Sequence, residues 1–352
     1  MEPVSIRVLT LNAGSSSVKY GVYAVGTAVT ELSAGSIDIA AAQTDLFAQI
    51  GDVQPEAIGH RIVHGGADLF APVRIDRPVL AKITAAARFA PLHARAALGL
   101  IAEATQRYPR VPNVACFDTS FHQGLPAIAA TLPIPRKYRA MGLRRYGFHG
   151  LSCEAILHQL GDPVPQRLII AHLGSGVSVT AVRAGQSVDT SMGLTPAGGV
   201  IMGSRAGDLD PGVILYLMRE LNMTADQIED TLVRQSGLLG ISGKSADLRA
   251  LHQADEPMAA LAVRMFCRSV SKQIAGMMAV LGGADLIVFT GGIGEHDALV
   301  CDAICADLAF AGAVPHVMLP AREGEQIARN VGALLCQPAA RQEITALEAG
   351  SK

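Results

Sequence analysis

Two short stretches of this 352-residue chain resemble each other, and they constrain its architecture more than any other feature. The stretch "LNAGSSSVKYGVY" (11–23) aligns with "AHLGSGVSVTAVRAG" (171–185), and both have the pattern strand, Gly/Ser turn, strand. Such hairpins are common, so a chance similarity is one explanation. Two of them, each opening one half of a long chain, favour a duplicated domain with a ligand cleft between the copies. Three positions align at an offset of 160 residues: Asn12 with His172, Gly14 with Gly174, and Ser15 with Ser175.

Apolar runs typical of buried strands alternate with helical patterns along the chain. This alternation predicts an α/β architecture, and the length suits two domains. The predicted strands are Ile6–Leu11, Ala57–Val63, Val114–Asp118, Leu168–Leu173, Ser178–Arg183 and Leu286–Thr290. The predicted helices are Val79–Leu100, Ser152–Leu160, Pro211–Leu221, Ala225–Gln235 and Met258–Leu281.

Composition excludes several functional classes. The net charge is −2, Trp is absent and aromatic residues make up 4%, so a nucleic-acid partner is not expected. No apolar run is long enough to span a bilayer, and the start "MEPVSIRVLT" lacks the pattern of a signal peptide. The six cysteines form no CxxC pair, which predicts buried free thiols and a cytoplasmic location.

Two stretches of the first half could bind an anion. "NAGSSSVK" (12–19) matches no P-loop, but its glycine, hydroxyl groups and Lys19 are what a phosphate loop needs; an ordinary hairpin turn explains it equally well. In "GHRIVHGG" (59–66), the planar fork of Arg61 could hold a carboxylate or phosphate, although such an arginine is often exposed or paired.

Three further positions combine a structural and a chemical interpretation. Asp118 follows a buried strand, where open α/β sheets bind ligands, and it could equally cap a helix. His149 could be a packed histidine or could donate to a transferring phosphoryl group. Arg205 lies in the long Gly- and Pro-rich stretch 189–212, whose length favours a functional loop.

Glycines at the end of another buried strand indicate a nucleotide. In "IVFTGGIGEH" (287–296) they follow the strand and precede a helix, which admits a phosphate chain. One Gly-rich loop is weak evidence. Together with the paired hairpins and the two loop arginines, it predicts a nucleoside triphosphate site.

The motifs together resemble the acetokinase family of short-chain carboxylate kinases. They occur in the family's order between residues 8 and 329: "LNAGSSSVKY", "GHRIVHGG", "FDTSFHQ", "RYGFHG", "AHLGSG", "TSMGLTPAGGVIMGSRAGDLDPG", "SGLLGISG" and "VFTGGIGE". The resemblance implies a two-domain, actin-like ATPase superfold of the α/β class with duplicated ribonuclease-H-like domains. The expected domains are 1–150, joined by 325–352, and 151–324. It also implies a homodimer that converts ATP and acetate into ADP and acetyl phosphate, with Mg²⁺ or Mn²⁺.

The resemblance also assigns roles to individual positions. The catalytic positions are Asp118, His149 and Arg205, and the metal-associated positions are Asn12 and Glu323. The substrate positions are Arg61, for the carboxylate, and Val63, Leu92, Phe148 and Pro196, for the acyl tail. The nucleotide positions are Lys19, His172, Leu173, Gly174, Ser175, Gly176, Asp247, Leu248, Arg249, Gly292, Ile293, Gly294, Glu295 and His296.

The chemistry of the reaction suits these residue types. A carboxylate is already ionised at pH 7, so no general base is needed, and the task is to bring two anions into line. Positive side chains and a metal ion reduce the repulsion. Asp118 is therefore expected to organise the metal site or Arg61 rather than to remove a proton.

The chain departs from the family pattern at four places. Ser175 replaces an asparagine, Cys153 replaces a histidine, and the segment 94–97 replaces Asn-Pro-Pro-Asn. The chain is also shorter than usual between residues 24 and 57. These changes bear on nucleotide affinity, acyl preference and turnover more than on the type of reaction.

Three alternatives stay open at the level of sequence. A propionate or butyrate kinase on the same scaffold is the nearest, since one methylene is worth only about 1–3 kcal/mol of discrimination. The bulk of Val63 favours acetate. A nucleotide-binding sensor without activity is the second, and a sugar kinase of the same superfold is the weakest. The physiological direction of the reaction also stays open.

Overall fold

The computed structural model describes residues 5–14, 17–38 and 46–335, and these form two compact units. Ser15, Ser16 and Cys336 lie outside the described residues. The first unit contains the described residues up to 123, together with 150–155 and 322–335; the second contains 124–149 and 156–321. The sequence-based division assigns 124–149 to the first domain, whereas here they cluster with the second unit. Backbone contacts explain this, because Tyr146 N donates to Gly193 O at 3.0 Å.

Eleven labelled strands lie among the described residues. They are β1 (Ile6–Ala13), β2 (Ser17–Val25), β3 (Val29–Asp38), β4 (Ala57–Ile62), β5 (Val73–Arg74), β6 (Asn113–Phe117), β7 (Arg167–Leu173), β8 (Val177–Arg183), β9 (Gln186–Thr190), β10 (Leu286–Thr290) and β11 (His316–Met318). All six strands predicted from the sequence are present, with ends within one or two residues.

The labelled helices of the described residues follow in chain order. They are α1 (Arg77–Ala86), α2 (Pro91–Arg107), α3 (Ala127–Ala130), α4 (Arg136–Arg139), α5 (Gly150–Leu160), α6 (Pro211–Glu220), α7 (Ala225–Arg234), α8 (Gly237–Ser242), α9 (Leu248–His252), α10 (Pro257–Leu281), α11 (Gly291–His296), α12 (Ala298–Asp307) and α13 (Glu323–Leu335). Residues 46–50 are also helical.

The prediction of one helix over Val79–Leu100 is wrong, because α1 and α2 are separate helices. Ala90, between them, has φ −150° and ψ 60°, outside the helical region. The cause is Pro91, whose ring would clash with a carbonyl one turn earlier and which lacks an N–H to continue the helix. As the first residue of α2, it loses no hydrogen bond.

The first unit is a six-stranded sheet in the order β3-β2-β1-β4-β6-β5. β1, β2 and β3 form an antiparallel meander, whereas β1, β4 and β6 run parallel. Side chains alternate between the two faces of each strand. Leu9 therefore packs in a cluster with Leu100 of α2, and Val8 packs in another with Ile327 and Val331 of α13. Helices thus cover both faces.

The second unit repeats this topology. Its sheet has the order β11-β10-β7-β8-β9, so β9-β8-β7-β10-β11 corresponds to β3-β2-β1-β4-β6. The β7–β8 hairpin is the counterpart of the β1–β2 hairpin, as the repeat at offset 160 predicts. Gly14 N donates to Ser17 O at 2.8 Å in one turn, and Gly174 N donates to Gly176 O at 3.0 Å in the other. The predicted duplication is confirmed at the level of topology.

Five cysteines lie among the described residues, and all are free thiols. Cys116, Cys153, Cys267 and Cys301 are buried, and Cys305 is half-buried. This confirms the prediction of free thiols for the described part of the chain. Within the same part, no helix is both long enough and apolar enough to cross a membrane.

Candidate active site

The first unit gathers four of the predicted residues at one edge of its sheet. Asn12 lies near the end of β1, Arg61 near the end of β4, and Asp118 directly after β6. Because these strands are parallel neighbours, their carboxyl ends meet at the same edge, where open α/β sheets place their ligands. Glu323 reaches this group as the first residue of α13.

Hydrogen bonds connect the four side chains into one chain of contacts. Arg61 donates to Asp118 Oδ2 from Nε at 2.9 Å and from Nη2 at 2.6 Å. Its third nitrogen, Nη1, donates to Asn12 Oδ1 at 2.9 Å. Asn12 Nδ2 then donates to Glu323 Oε2 at 2.7 Å. The guanidinium is therefore held in a fixed plane by a carboxylate and an amide.

Burial and charge set the protonation of this group. Asp118 is fully buried, and this burial raises the pKa of its carboxyl to about 6, an effect that the Arg61 charge opposes and the Glu323 charge reinforces. Burial acts to lower the pKa of Arg61, but the charges of Asp118 and Glu323 prevail and raise it. At neutral pH the cluster therefore holds one guanidinium and ionised Asp118.

The residues present are compatible with a divalent ion of the magnesium type. Among the described residues, no group of three or more His, Cys, Asp or Glu side chains forms a metal cage. Mg²⁺ does not need one, since it is usually bound by one or two carboxylates, waters and substrate phosphates. Asp118 Oδ1 is buried and has no hydrogen-bond partner among the described residues. A metal-bound water would satisfy this oxygen beside Glu323.

The second unit brings together His149, His172 and Arg205 around a glycine. His149 Nδ1 lies 2.9 Å from Ser178 Oγ, and its ring stacks on that of His172 with centroids 4.1 Å apart. Arg205 is buried, and its Nη1 donates to Pro196 O at 2.9 Å. A Cβ added at Gly176 would lie 3.0 Å from His149 Nε2 and 3.4 Å from Arg205 Nη1. A side chain at this position would therefore have to displace His149 by a few tenths of an ångström.

Sequence analysis missed the role of Ser178 in this arrangement. The serine belongs to β8 and pairs in register with His172. Because the register of a hairpin decides which residues are neighbours across it, the hairpin pattern could have placed Ser178 beside His172. Nothing in that pattern indicated that His149 would contact both residues.

The two predicted glycine segments of the second unit lie next to each other. β7 and β10 are parallel neighbours, so the segments 172–176 and 291–296 leave the sheet at the same edge. Gly291 has φ +78°, and a Cβ there would lie 2.7 Å from Leu173 O. A Cβ at Gly174 would lie 3.9 Å from Gly292 N. This edge therefore exposes backbone that phosphate groups could approach closely.

The remaining predicted residues are more dispersed. Lys19 is exposed on β2 and pairs in register with Asn12. Asp247 caps α9 and forms an ion pair with Arg249, whose guanidinium is 87% exposed. Val63, in the first unit, and Phe148, in the second, are buried, whereas Pro196 is half-buried. The side chain of Leu92 lies outside what the structure describes.

Comparisons with known proteins agree with this architecture. The duplicated sheets with helices on their faces define an α/β protein of the actin-like ATPase superfold. A model of the acetokinase family matches residues 48–331, which is most of the chain. The chain therefore belongs to the acetokinase family.

Individual relatives span nearly the whole chain. An acetate kinase from Rhodopseudomonas palustris is 40% identical over 345 residues, covering 87% of each chain. The structure resembles a propionate kinase from Francisella tularensis, with 33% identity, a TM-score of 0.81, and coverage of 92% of this chain and 98% of that one. It also resembles an acetate kinase from Porphyromonas gingivalis, with 30% identity, a TM-score of 0.80, and coverage of 94% and 100%.

Proposed function

We propose that this chain transfers the γ-phosphoryl group of ATP to acetate, reversibly, giving acetyl phosphate and ADP. The observation that carries the proposal is the buried Arg61–Asp118 pair at the sheet edge, with Arg61 fixed in a single orientation. One carboxylate oxygen of acetate attacks phosphorus, and the bond to the β,γ-bridging oxygen breaks. Family membership supports the same reaction.

In this proposal, the residues of the first unit position the acceptor. The acetate carboxylate is ionised at neutral pH, so no residue has to remove a proton. The Arg61 guanidinium attracts that carboxylate, and Asp118 and Asn12 hold the guanidinium in place. We assign the acyl tail to Val63, Leu92, Phe148 and Pro196.

The residues of the second unit stabilise the transferring group. Arg205 supplies positive charge and hydrogen-bond donors for the phosphoryl oxygens, and His149 supplies a further donor. Ser178 and His172 fix the plane of the His149 ring. We assign the nucleotide to the segments 172–176, 247–249 and 292–296, together with Lys19.

We also propose a Mg²⁺ ion at Asp118, Asn12 and Glu323, with Mn²⁺ as a substitute. When bound, such an ion offsets the negative charge that accumulates on the phosphate oxygens. Glu323 is held by Asn12 Nδ2 at 2.7 Å, and Asp118 Oδ1 is buried without a hydrogen bond among the described residues. Both observations support an ion at this position.

Propionate is a second candidate acceptor. The similarity to the Francisella tularensis propionate kinase supports it, and so does a small cavity beside Val63. Alanines line much of this cavity, including Ala90 and Ala94, and it has room for about one water molecule. Movement of Val63 into that space would lengthen an acyl pocket.

We infer further that the chain forms a homodimer in the cytoplasm. Helix α6 has no buried residue, and it and its flanks expose Leu209, Val213, Leu215, Tyr216, Met218 and Leu221. An apolar surface of this kind is typical of an interface. Free thiols support a reducing compartment. Light scattering would test the dimer, and a monomer at micromolar concentration would refute it.

The activity can be tested by trapping the acyl phosphate with hydroxylamine. The purified chain, ATP and Mg²⁺ are combined with acetate or propionate, and kcat/KM is compared between the two. Arg205→Ala should lower kcat by about 10³-fold, because charge stabilisation of the transferring group is lost. Arg234→Ala, which removes an exposed arginine of the same unit, serves as the control. No hydroxamate with either acid, despite ADP binding, would refute the proposed reaction and favour a nucleotide sensor.

A further inference from the structure

A half-buried polar network links helices α5 and α13 within the first unit. Glu154 Oε2 accepts hydrogen bonds from Gln326 Nε2 at 3.2 Å and from Asn330 Nδ2 at 3.0 Å. Gln326 Nε2 also donates to Asn330 Oδ1 at 2.9 Å. The surroundings are apolar, with Leu151 and Ile327 in the neighbouring core cluster. Burial raises the pKa of Glu154, and the hydrogen bonds from Asn330 and Gln326 oppose this shift by favouring the ionised form.

The partners of Glu154 share one face of α13 with Glu323. Gln326 and Asn330 are four residues apart, so they lie one above the other on the helix. Glu323 is three residues before Gln326 and continues the same stripe by one turn. Two directional hydrogen bonds, donated by α13 to the Glu154 carboxylate of α5, therefore restrain the rotation of α13 about its axis. That rotation determines where Glu323 points.

A purely structural role does not require a carboxylate at this position. Apolar side chains that fill a buried polar site are often as stabilising or more so. They would cover α13 equally well, but at this position a hydrogen bond adds a directional restraint to the rotation that core packing already limits, and an apolar contact would not. A carboxylate at this position thus fits a requirement for orientation better than one for stability.

The start of α13 also needs support because its backbone is strained. Arg322, directly before Glu323, is a non-glycine residue with φ +41° in the left-handed region. Such a conformation costs about 1–3 kcal/mol and persists only where neighbouring structure holds it. Helix α5 contacts the segment that precedes Arg322, since Gln159 Nε2 donates to Pro320 O at 2.8 Å.

We propose that Glu154 is a positioning residue for Glu323, acting through Gln326 and Asn330. The inference rests on the metal role proposed for Glu323. Glu323 meets Asn12 at 2.7 Å and lies 3.9 Å from Arg61, so a small rotation of α13 would change both contacts. Residues that orient a metal ligand without touching the ion typically contribute 10–100-fold to its affinity.

The test exchanges the donor and the acceptor of one hydrogen bond. Asn330→Asp places a second carboxylate against Glu154 and should weaken Mn²⁺ binding about tenfold, measured in the full chain at saturating ADP by the electron paramagnetic resonance signal of free Mn²⁺. Glu154→Gln combined with Asn330→Asp restores an amide–carboxylate pair and should recover most of the affinity. Thermal unfolding of each variant without metal reports folding separately.

Two further variants provide a positive control and a negative control for Mn²⁺ binding. Glu323→Gln should weaken Mn²⁺ binding directly. Glu325→Gln is the matched control, because Glu325 lies on the same helix but pairs with Arg329 and Arg322 instead. It should leave Mn²⁺ affinity unchanged.

The outcomes separate the inference from the proposed function. Wild-type affinity in Glu323→Gln would overturn the metal site and the inference with it. A weakened Glu323→Gln beside an unchanged Asn330→Asp would overturn the positioning role alone. The same holds if the double variant stays as weak as Asn330→Asp, or if Glu325→Gln weakens binding equally. If Asn330→Asp does not fold, the Mn²⁺ affinity of the double variant is compared with that of the single variant Glu154→Gln. A higher affinity in the double variant supports the positioning role, and an equal affinity overturns it.

Discussion

The buried Arg61–Asp118 pair should be dispensable for stability and essential for activity. We consider Arg61→Met, Asp118→Leu and the double variant, which replace the pair by apolar side chains of similar size. Removing one partner of a buried pair leaves the other charge uncompensated, at a cost of about 3–5 kcal/mol. Replacing both is often neutral or stabilising, because two desolvated charges are removed together.

The contacts that remain in each single variant set its expected loss of unfolding free energy. Asp118→Leu leaves Arg61 with Asn12 at 2.9 Å and Glu323 at 3.9 Å, so we expect a loss of about 3 kcal/mol, at the low end. Arg61→Met leaves a fully buried carboxylate whose pKa is already raised to about 6, so part of the loss is relieved by protonation. The double variant should lie within about 1 kcal/mol of wild type, a coupling energy on the order of 3 kcal/mol or more.

The assay combines urea unfolding at pH 7.5 with kcat/KM for acetate. The double variant should lose about 10³-fold or more in kcat/KM while its free energy of unfolding is retained. The pair Lys244–Glu256 is a matched control in the second unit, since both side chains are about half exposed and 2.6 Å apart. Lys244→Met and Glu256→Gln should each cost less than about 1 kcal/mol. Losses that simply add in the double variant, or wild-type activity in it, would refute the reasoning.

Three further predictions follow from single groups. Because the pKa of Asp118 is raised to about 6 and its ionised form holds Arg61, kcat/KM should fall as the pH drops through 6; a profile flat down to pH 5 would contradict this. Burial lowers the pKa of His60 to about 4, because the folded state disfavours the charged imidazole. The free energy of unfolding should therefore fall by about 3 kcal/mol as the pH falls from 6.5 to 4. Urea unfolding of wild type and of His60→Gln across this pH range measures the part of the fall that is due to His60. Parallel pH dependences of the two proteins would disprove the prediction. Gly176→Ala should lower kcat by about tenfold, because its Cβ would shift His149 by a few tenths of an ångström. Gly193→Ala, which has open space around its Cβ, is the control, and equal kcat values in the two variants would count against this prediction.

The fold was predictable where local pattern and tertiary structure agree. The six predicted strands are mostly buried, so they appear in the sequence as apolar runs, and the matching topology of the two hairpins followed from the repeat. The parallel strand β11 is exposed along its length, and no apolar run in the sequence predicted it. The helix predicted over Val79–Leu100 failed at one local signal, Pro91, which outweighs a continuous helical pattern. The placement of residues 124–149 depends on hydrogen bonds to the distant β9 end and its loop, such as that from Arg145 Nη1 to Thr190 O at 2.7 Å, and no local pattern encodes them.

The candidate site also has parts that could be predicted from the sequence and parts that could not. The approach of Arg61 and Asp118 was predictable, since parallel strands end at one sheet edge. The Glu154 network was not, because its partners are more than 170 residues away on α13. The roles of these residues came from resemblance to a family and stay predictions.

The order in which the chain visits its two units bears on how it can be synthesised and dissected. The chain passes between the units four times, after residues 123, 149, 155 and 321. No continuous piece of the gene encodes the first unit, and a fragment ending near residue 150 would lack α13 and leave Val8 and Val114 uncovered on one sheet face. During translation, α13 cannot cover that face until Leu335 has left the ribosome. The second unit is made entirely before this, so we expect the nascent chain to fold from its middle outwards.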